Sequence, residues 1–154
     1  MQPFPHNYRV AASARTSGPV SITAAGVSTI VSAPPMEFGG PGDKWSPETL
    51  LCASVADCYI LTFRSLARSA KLDWLKLDCR VDGKLERVDG RTQFTHFVTY
   101  VDLKVPIATD IDRVNRLLEK AEHECLIANS LCGGRSLETQ VQEVNISAVT
   151  EATS

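Results

Sequence analysis

Apolar and polar residues alternate in steps of two through "LKLDCRVDGKLERVDGRTQFTHFVTYVDLKVP", which sets Leu75, Leu77, Cys79 and Val81 on one face and Lys76, Asp78, Arg80 and Asp82 on the other. This period predicts a β-hairpin over about 75–105 with "VDGR" as its turn. Upstream, "PETLLCASVADCYILTF" follows a different rule. It is apolar nearly all round from Leu50 to Phe63, then amphipathic from Arg64 onward, where Arg64, Arg68 and Lys71 alternate with Leu66 and Ala67. Ser46 fits an N-cap, Pro47 the first helical position and Glu48 a first-turn acid, so a central helix is expected over about 46–70. Its first half should be surrounded by protein.

Ile111, Val114, Leu118, Ala121 and Cys125 recur in steps of three and four, which predicts a second helix over about 110–129, capped by Asp110. Before the central helix, "YRVAASA" and "VSITAAGVSTIVSA" are β-branched or small, broken by Gly18 and Gly26, and read as a meander of strands within about 7–32. The Pro- and Gly-rich "PPMEFGGPGDKW" makes 33–45 a loop. Gly133 and Gly134 turn the chain into a last strand, "LETQVQEVNISAV", at about 137–149. Strands, helix, hairpin, helix and strand in that order indicate an α+β fold, and 154 residues fit a single domain, 1–154.

Composition narrows the function classes. A net charge of −2 gives no electrostatic footprint for nucleic acid or an anionic membrane, so neither is expected as a partner. The N-terminus "MQPFPHNYRV" lacks the basic start and apolar run of a secretory signal, which points to a cytoplasmic protein. The opening apolar stretch is interrupted by Asp57 and reads as a core helix rather than a span.

Five cysteines, at 52, 58, 79, 125 and 132, are an odd number at irregular spacing, with no C-x-x-C. In a reducing compartment any that matter should be reactive rather than structural. His6, His96 and His123 are scattered, and His123 lies on a different helix face from Cys125, so neither a zinc site nor a Cys-His hydrolase is expected. Cys125 shares the apolar stripe of its helix and looks inward, toward the greasy helix around Cys58. The two thiols can meet there although 67 residues separate them. Cys52 and Cys58 cannot pair on a regular helix, being about 9 Å apart in rise and on different faces. Cys79 falls on the apolar side of its strand, and Cys132, in a Gly-rich turn, is a target for adventitious oxidation. Free cysteine also behaves as a small hydrophobe, so inert packing is the simpler reading of each one taken alone.

A reactive Cys58, far from its helix N-terminus, needs a nearby cation. The N-terminal segment offers Arg9 in a strand and Arg15 in the turn "SARTSGPV", of which Arg15 has the greater reach. Glu48 stands ten residues before Cys58, about 15 Å along a continuous helix. It serves either the helix dipole alone or the thiol site, the latter by orienting an arginine, by reaching across a dimer interface, or through a break in the helix.

The segments "GGPGDKWSPETLLCASVADCY" and "AEHECLIANSL", taken together, resemble the OsmC/Ohr family of osmotically inducible and organic hydroperoxide resistance proteins. Leu126 stands where hydroperoxide-resistance members commonly carry Pro, so the likeness is to the broader OsmC-like group. The resemblance implies an intertwined α+β homodimer with two curved antiparallel sheets around central helices and active sites at the subunit interface. It makes Cys58 the peroxide-attacking thiol and Cys125 the thiol that resolves it as a disulfide, with Arg15 and Glu48 completing the site. The implied activity is reduction of organic hydroperoxides, with a lipoyl-type dithiol as external reductant and no metal, flavin or haem. Tyr59, Phe63 and Phe38 are the expected apolar substrate pocket, since apolar burial favours an organic over an inorganic peroxide. The alternative from another class is a non-catalytic dimeric ligand-binding or stress-associated protein whose buried cysteines are packing.

Overall fold

The computed structural model describes residues 2–145, so the expected strand segment 146–149 lies outside the described residues. These residues form two compact units that divide between Leu51 and Cys52, inside the first long helix.

The first unit is an antiparallel meander of β1 (Ala11–Ser13), β2 (Val20–Thr23) and β3 (Ile30–Ser32). The strands are shorter than the apolar stretches suggest, because turns consume the residues around Gly18 and Gly26, both at positive φ. Within the Pro/Gly-rich loop a single 3-10 turn forms at Met36–Phe38. The loop then returns to β3, where the Ala33 amide donates to the Trp45 carbonyl at 2.9 Å. Ser46, buried, then caps α1 (Pro47–Ser69). Its Oγ accepts from the Thr49 amide at 3.2 Å, while its own amide donates to Thr49 Oγ1 at 2.9 Å. This reciprocal pair satisfies donors that a helix start leaves orphaned.

The second unit packs the remainder of α1 and α2 (Ile111–Glu124) on a three-stranded sheet of β4 (Lys76–Val88), β5 (Arg91–Pro106) and β6 (Gly134–Val144). The hairpin β4–β5 turns at Asp89 and Gly90, with φ of 48° and 78°, which is the pair of left-handed residues that a tight two-residue hairpin requires. Phe97, Val101, Leu103 and Val105 of β5 are buried with Leu77 of β4, and Tyr59, Phe63 and Ala67 of α1 and Val114, Leu118 and Ala121 of α2 are buried with them. The opposite strand face is charged, with exposed pairs Lys76–Asp78, Arg80–Asp82 and Lys84–Glu86 at 2.8, 3.2 and 2.8 Å. Exposed pairs of this kind contribute little stability but keep that face in water.

Three expectations need correction. The second sheet is mixed rather than wholly antiparallel, because β6 pairs parallel to β5. The connection between them contains α2, long enough to carry the chain back for parallel pairing. The second helix ends at Glu124, not Asn129, since Cys125 takes an extended backbone (φ −64°, ψ 101°) and only a one-turn 3-10 helix resumes at Ala128–Ser130. Nor is the first half of α1 surrounded by protein. Its buried residues, Val55, Tyr59, Phe63 and Ala67, follow steps of four along one stripe, and only 28% of its most apolar window is buried. By length and composition alone α1 could cross a membrane, yet this stripe is built into the core on the sheet.

Candidate functional site

Helix periodicity and one broken helix end together assemble the thiols. The stripe that buries Val55 and Tyr59 of α1 leaves Cys58 beside it, half-buried. The stripe of α2 runs through Val114, Leu118 and Ala121 to Cys125, which is 1% exposed. Both cysteines join one cluster with Val55, Ala128, Val81, Ile127 and Leu131. Within it Cys58 packs against the group that holds Cys125, near enough for each thiol to feel the other. Cys125 Sγ also lies 3.9 Å from the Val55 carbonyl oxygen, to which it can donate, and Cys58 Sγ lies 4.0 Å from Thr62 Oγ1.

The electrostatics of Cys125 have two opposing sources. Burial pushes the thiol up to about 11, and the interaction with Cys58 acts in the same direction. The amides of Ala128 and Ile127, aimed at the sulfur, favour the thiolate and offset part of that rise. They reach the sulfur because the helix stops at Glu124. A continued helix would spend those amides on its own carbonyls.

A third thiol is close by. Cys79, on the inward face of β4, is pushed up to about 12, chiefly by burial and secondarily by the Cys125 charge. Cys52 sits against β4 from α1, where Gly83 makes room: a Cβ there would lie 2.8 Å from both Cys52 Sγ and Phe94 Cε1. Burial raises the Cys52 thiol, with the Gly83 amide opposing and the Asp82 charge adding to the rise. Cys132 is exposed, as expected of a turn residue.

Of the three aromatic residues expected as a pocket, Tyr59 borders Cys125, while Phe63 and Phe38 lie elsewhere. Phe63 is fully buried in the main core, edge-on to Trp74 with centroids 5.6 Å apart. Tyr59 is also core, its hydroxyl donating to the Leu118 carbonyl at 3.0 Å and held protonated by burial. Tyr59 does line a small cavity of about 10 Å³ with Cys125, Val55, Glu122 and Arg135. Phe38 is 59% exposed in the 3-10 turn of the first unit. The physical reason Phe63 is core is helix phase: it lies one turn beyond Tyr59 on the buried stripe, on a different face from Cys58.

Arg15 lies exposed between β1 and β2, and Arg9 lies exposed before β1. Glu48 opens α1, which runs unbroken to Ser69, so a break in the helix does not bring Glu48 to Cys58. Among the described residues, Glu48 Oε2 is a buried side-chain oxygen without a hydrogen-bond partner. A buried carboxyl oxygen left unpaired is costly.

Sequence reasoning missed the Glu122–Arg135 pair. Arg135 Nε lies 3.3 Å from Glu122 Oε1, and Arg135 Nη1 donates to Asn129 Oδ1 at 2.9 Å. The pair links α2 to β6 across the loop that carries Cys125. Its only signal in the sequence is Glu122 one turn before Cys125, which is indistinguishable from a solvated helix acid.

Among the described residues no cluster of three His, Cys, Asp or Glu side chains could hold a metal ion. The model of the OsmC-like protein family matches residues 40–140. The uncharacterised Bacillus subtilis protein YmaD is 26% identical over 109 residues, covering 69% of this chain and 73% of its own length. An OsmC-like protein of unknown function from Vibrio cholerae superposes with a TM-score of 0.77 at 17% identity, covering 90% of this chain and all of the other. Organic hydroperoxide resistance proteins from Legionella pneumophila and Elizabethkingia anophelis superpose with TM-scores of 0.69 and 0.71 at 21% and 19% identity, each covering 92% of this chain and all of the other.

Proposed function

The chain belongs to the OsmC-like proteins, and from that premise we propose that it is a cysteine-based peroxidase that reduces organic hydroperoxides to alcohols. The observation that carries this reading is the packing of Cys58 and Cys125 into one apolar cluster. Two structural neighbours described as organic hydroperoxide resistance proteins support the substrate class. So does the aliphatic setting of the thiols, Val55, Val81, Ile127 and Leu131, which suits an alkyl group better than water.

In the proposed cycle the Cys58 thiolate attacks the distal peroxide oxygen. The O–O bond breaks, the alcohol leaves with a proton, and Cys58 becomes a sulfenic acid. Arg15 stabilises charge on the thiolate and the peroxide oxygens, and Glu48, whose Oε2 is unpaired, accepts from its guanidinium. The resemblance brings these groups together at the interface of a homodimer. The apolar residues that α1 leaves outside its buried stripe, Leu61 among them at 51% exposure, support a second copy as the cover. Cys125 then condenses with the sulfenic acid to a disulfide, and an external dithiol of lipoyl type, in the cytoplasm, restores both thiols.

The test is to treat the reduced protein with one equivalent of an organic hydroperoxide, digest it without reductant and search by mass spectrometry for a peptide joining Cys58 to Cys125. The link is expected in the unaltered protein and absent from Cys58→Ser. Both thiols remaining reduced would instead favour a non-catalytic ligand-binding protein.

A further inference from the structure

We propose that Glu122 is the general base of the resolving step, taking the Cys125 proton through a single water in the cavity they share. This rests on the peroxidase reading above and assigns a residue that the family likeness does not.

The need for a base follows from the thiol itself. Cys125 must attack as a thiolate, yet it is buried and protonated, and its sulfur is aimed at the Val55 carbonyl. The groups that face it are few. From α1 come Cys58, which at this stage is the sulfenic acid under attack, and Tyr59, whose hydroxyl already donates to Leu118. From β4 comes Cys79, another protonated thiol. From β6 comes Arg135, which is always cationic. Glu122, from α2 itself, supplies the carboxylate.

Glu122 and Cys125 line the same small cavity, whose volume of about 10 Å³ is at the size that holds one water molecule. Arg135, which lines the same cavity, holds the carboxylate with its Nε 3.3 Å from Glu122 Oε1 and is itself held by Asn129, so the acceptor is fixed in place. The Cys125 proton passes to Glu122 as the sulfur lone pair attacks Cys58 sulfur. The Cys58 S–O bond breaks, and the departing hydroxide takes up a proton to leave as water. Cys125 sulfur is oxidised, Cys58 sulfur is reduced from its sulfenic state, and no further reactant is needed. The amides of Ile127 and Ala128 stabilise the charge that develops on Cys125.

The experiment follows one turnover with one equivalent of cumene hydroperoxide, quenched over time with dimedone and an alkylating reagent and read by mass spectrometry. Glu122→Gln is expected to form sulfenic acid as fast as the unaltered protein and to slow disulfide formation by on the order of 100-fold. Its disulfide rate should climb about tenfold per pH unit, following the thiolate fraction of a high-pKa thiol, while the unaltered protein varies little between about pH 6 and 8. Glu122→Asp, which keeps the carboxylate, should retain the shallow profile, as should Arg135→Gln. Equal, shallow profiles in Glu122→Gln and Arg135→Gln would reduce the pair to a loop brace and overturn the base role. Failure of the unaltered protein to form either sulfenic acid or disulfide would overturn the peroxidase reading itself, and this assignment with it.

Discussion

Cys125 and Cys79 show how little a residue's type says about its chemistry. Both are thiols, but burial moves them up to about 11 and about 12, while Cys132 stands in water. The raised values have a consequence for stability. An unfolded thiol titrates near 8.5, so as pH rises the unfolded chain releases its protons first and stability falls. The loss sets in as pH passes about 8.5 and continues until the folded thiols ionise at their own, higher values. Denaturation midpoints in guanidinium chloride should therefore drop on going from about pH 8 to about pH 10.5, and Cys79→Val should flatten that dependence. An unchanged slope in the variant would mean that Cys79 is better solvated than its place on β4 implies.

At the scale of elements, the caps and the hairpin were legible in the sequence because their signals are local. Ser46, Asp110 and "VDGR" act within four residues, and the structure uses each of them: Ser46 Oγ caps α1, Asp110 Oδ1 accepts from the Arg113 amide at 3.0 Å, and Asp89–Gly90 makes the turn. Removing the Ser46 hydroxyl in Ser46→Ala is accordingly worth about 1 kcal/mol. The early end of α2 was not legible, since no Pro or Gly follows Glu124 and the stop depends on Cys125 being pulled into the cluster on α1. Gly83 is a similar case: nothing nearby in the sequence says that α1 will place Cys52 Sγ against it. Gly83→Ala should destabilise by about 1–3 kcal/mol, as overpacking does. Adding Cys52→Ala should recover part of that loss in a double-mutant cycle, and additivity of the two changes would show that Phe94 alone sets the limit.

For the whole molecule, the long apolar α1 carries the main prediction. Burial along one stripe is ordinary for a helix, but α1 is also apolar outside that stripe, and exposed apolar surface of this kind marks an interaction face. If a second copy covers it, Leu61→Glu should convert a dimer to monomer in equilibrium sedimentation, and unchanged association would remove this face from the interface. The sequence by itself determined the element order, the α+β class and the inward direction of Cys125, because periodicity and caps are properties of short stretches of chain, and two short motifs carried the family. Only tertiary structure decided that β6 runs parallel to β5, that Phe63 is core while Tyr59 borders Cys125, and that Glu122 and Arg135 flank Cys125. Those outcomes depend on which helix face meets the sheet and where one helix stops, and such contacts join residues that no local pattern relates.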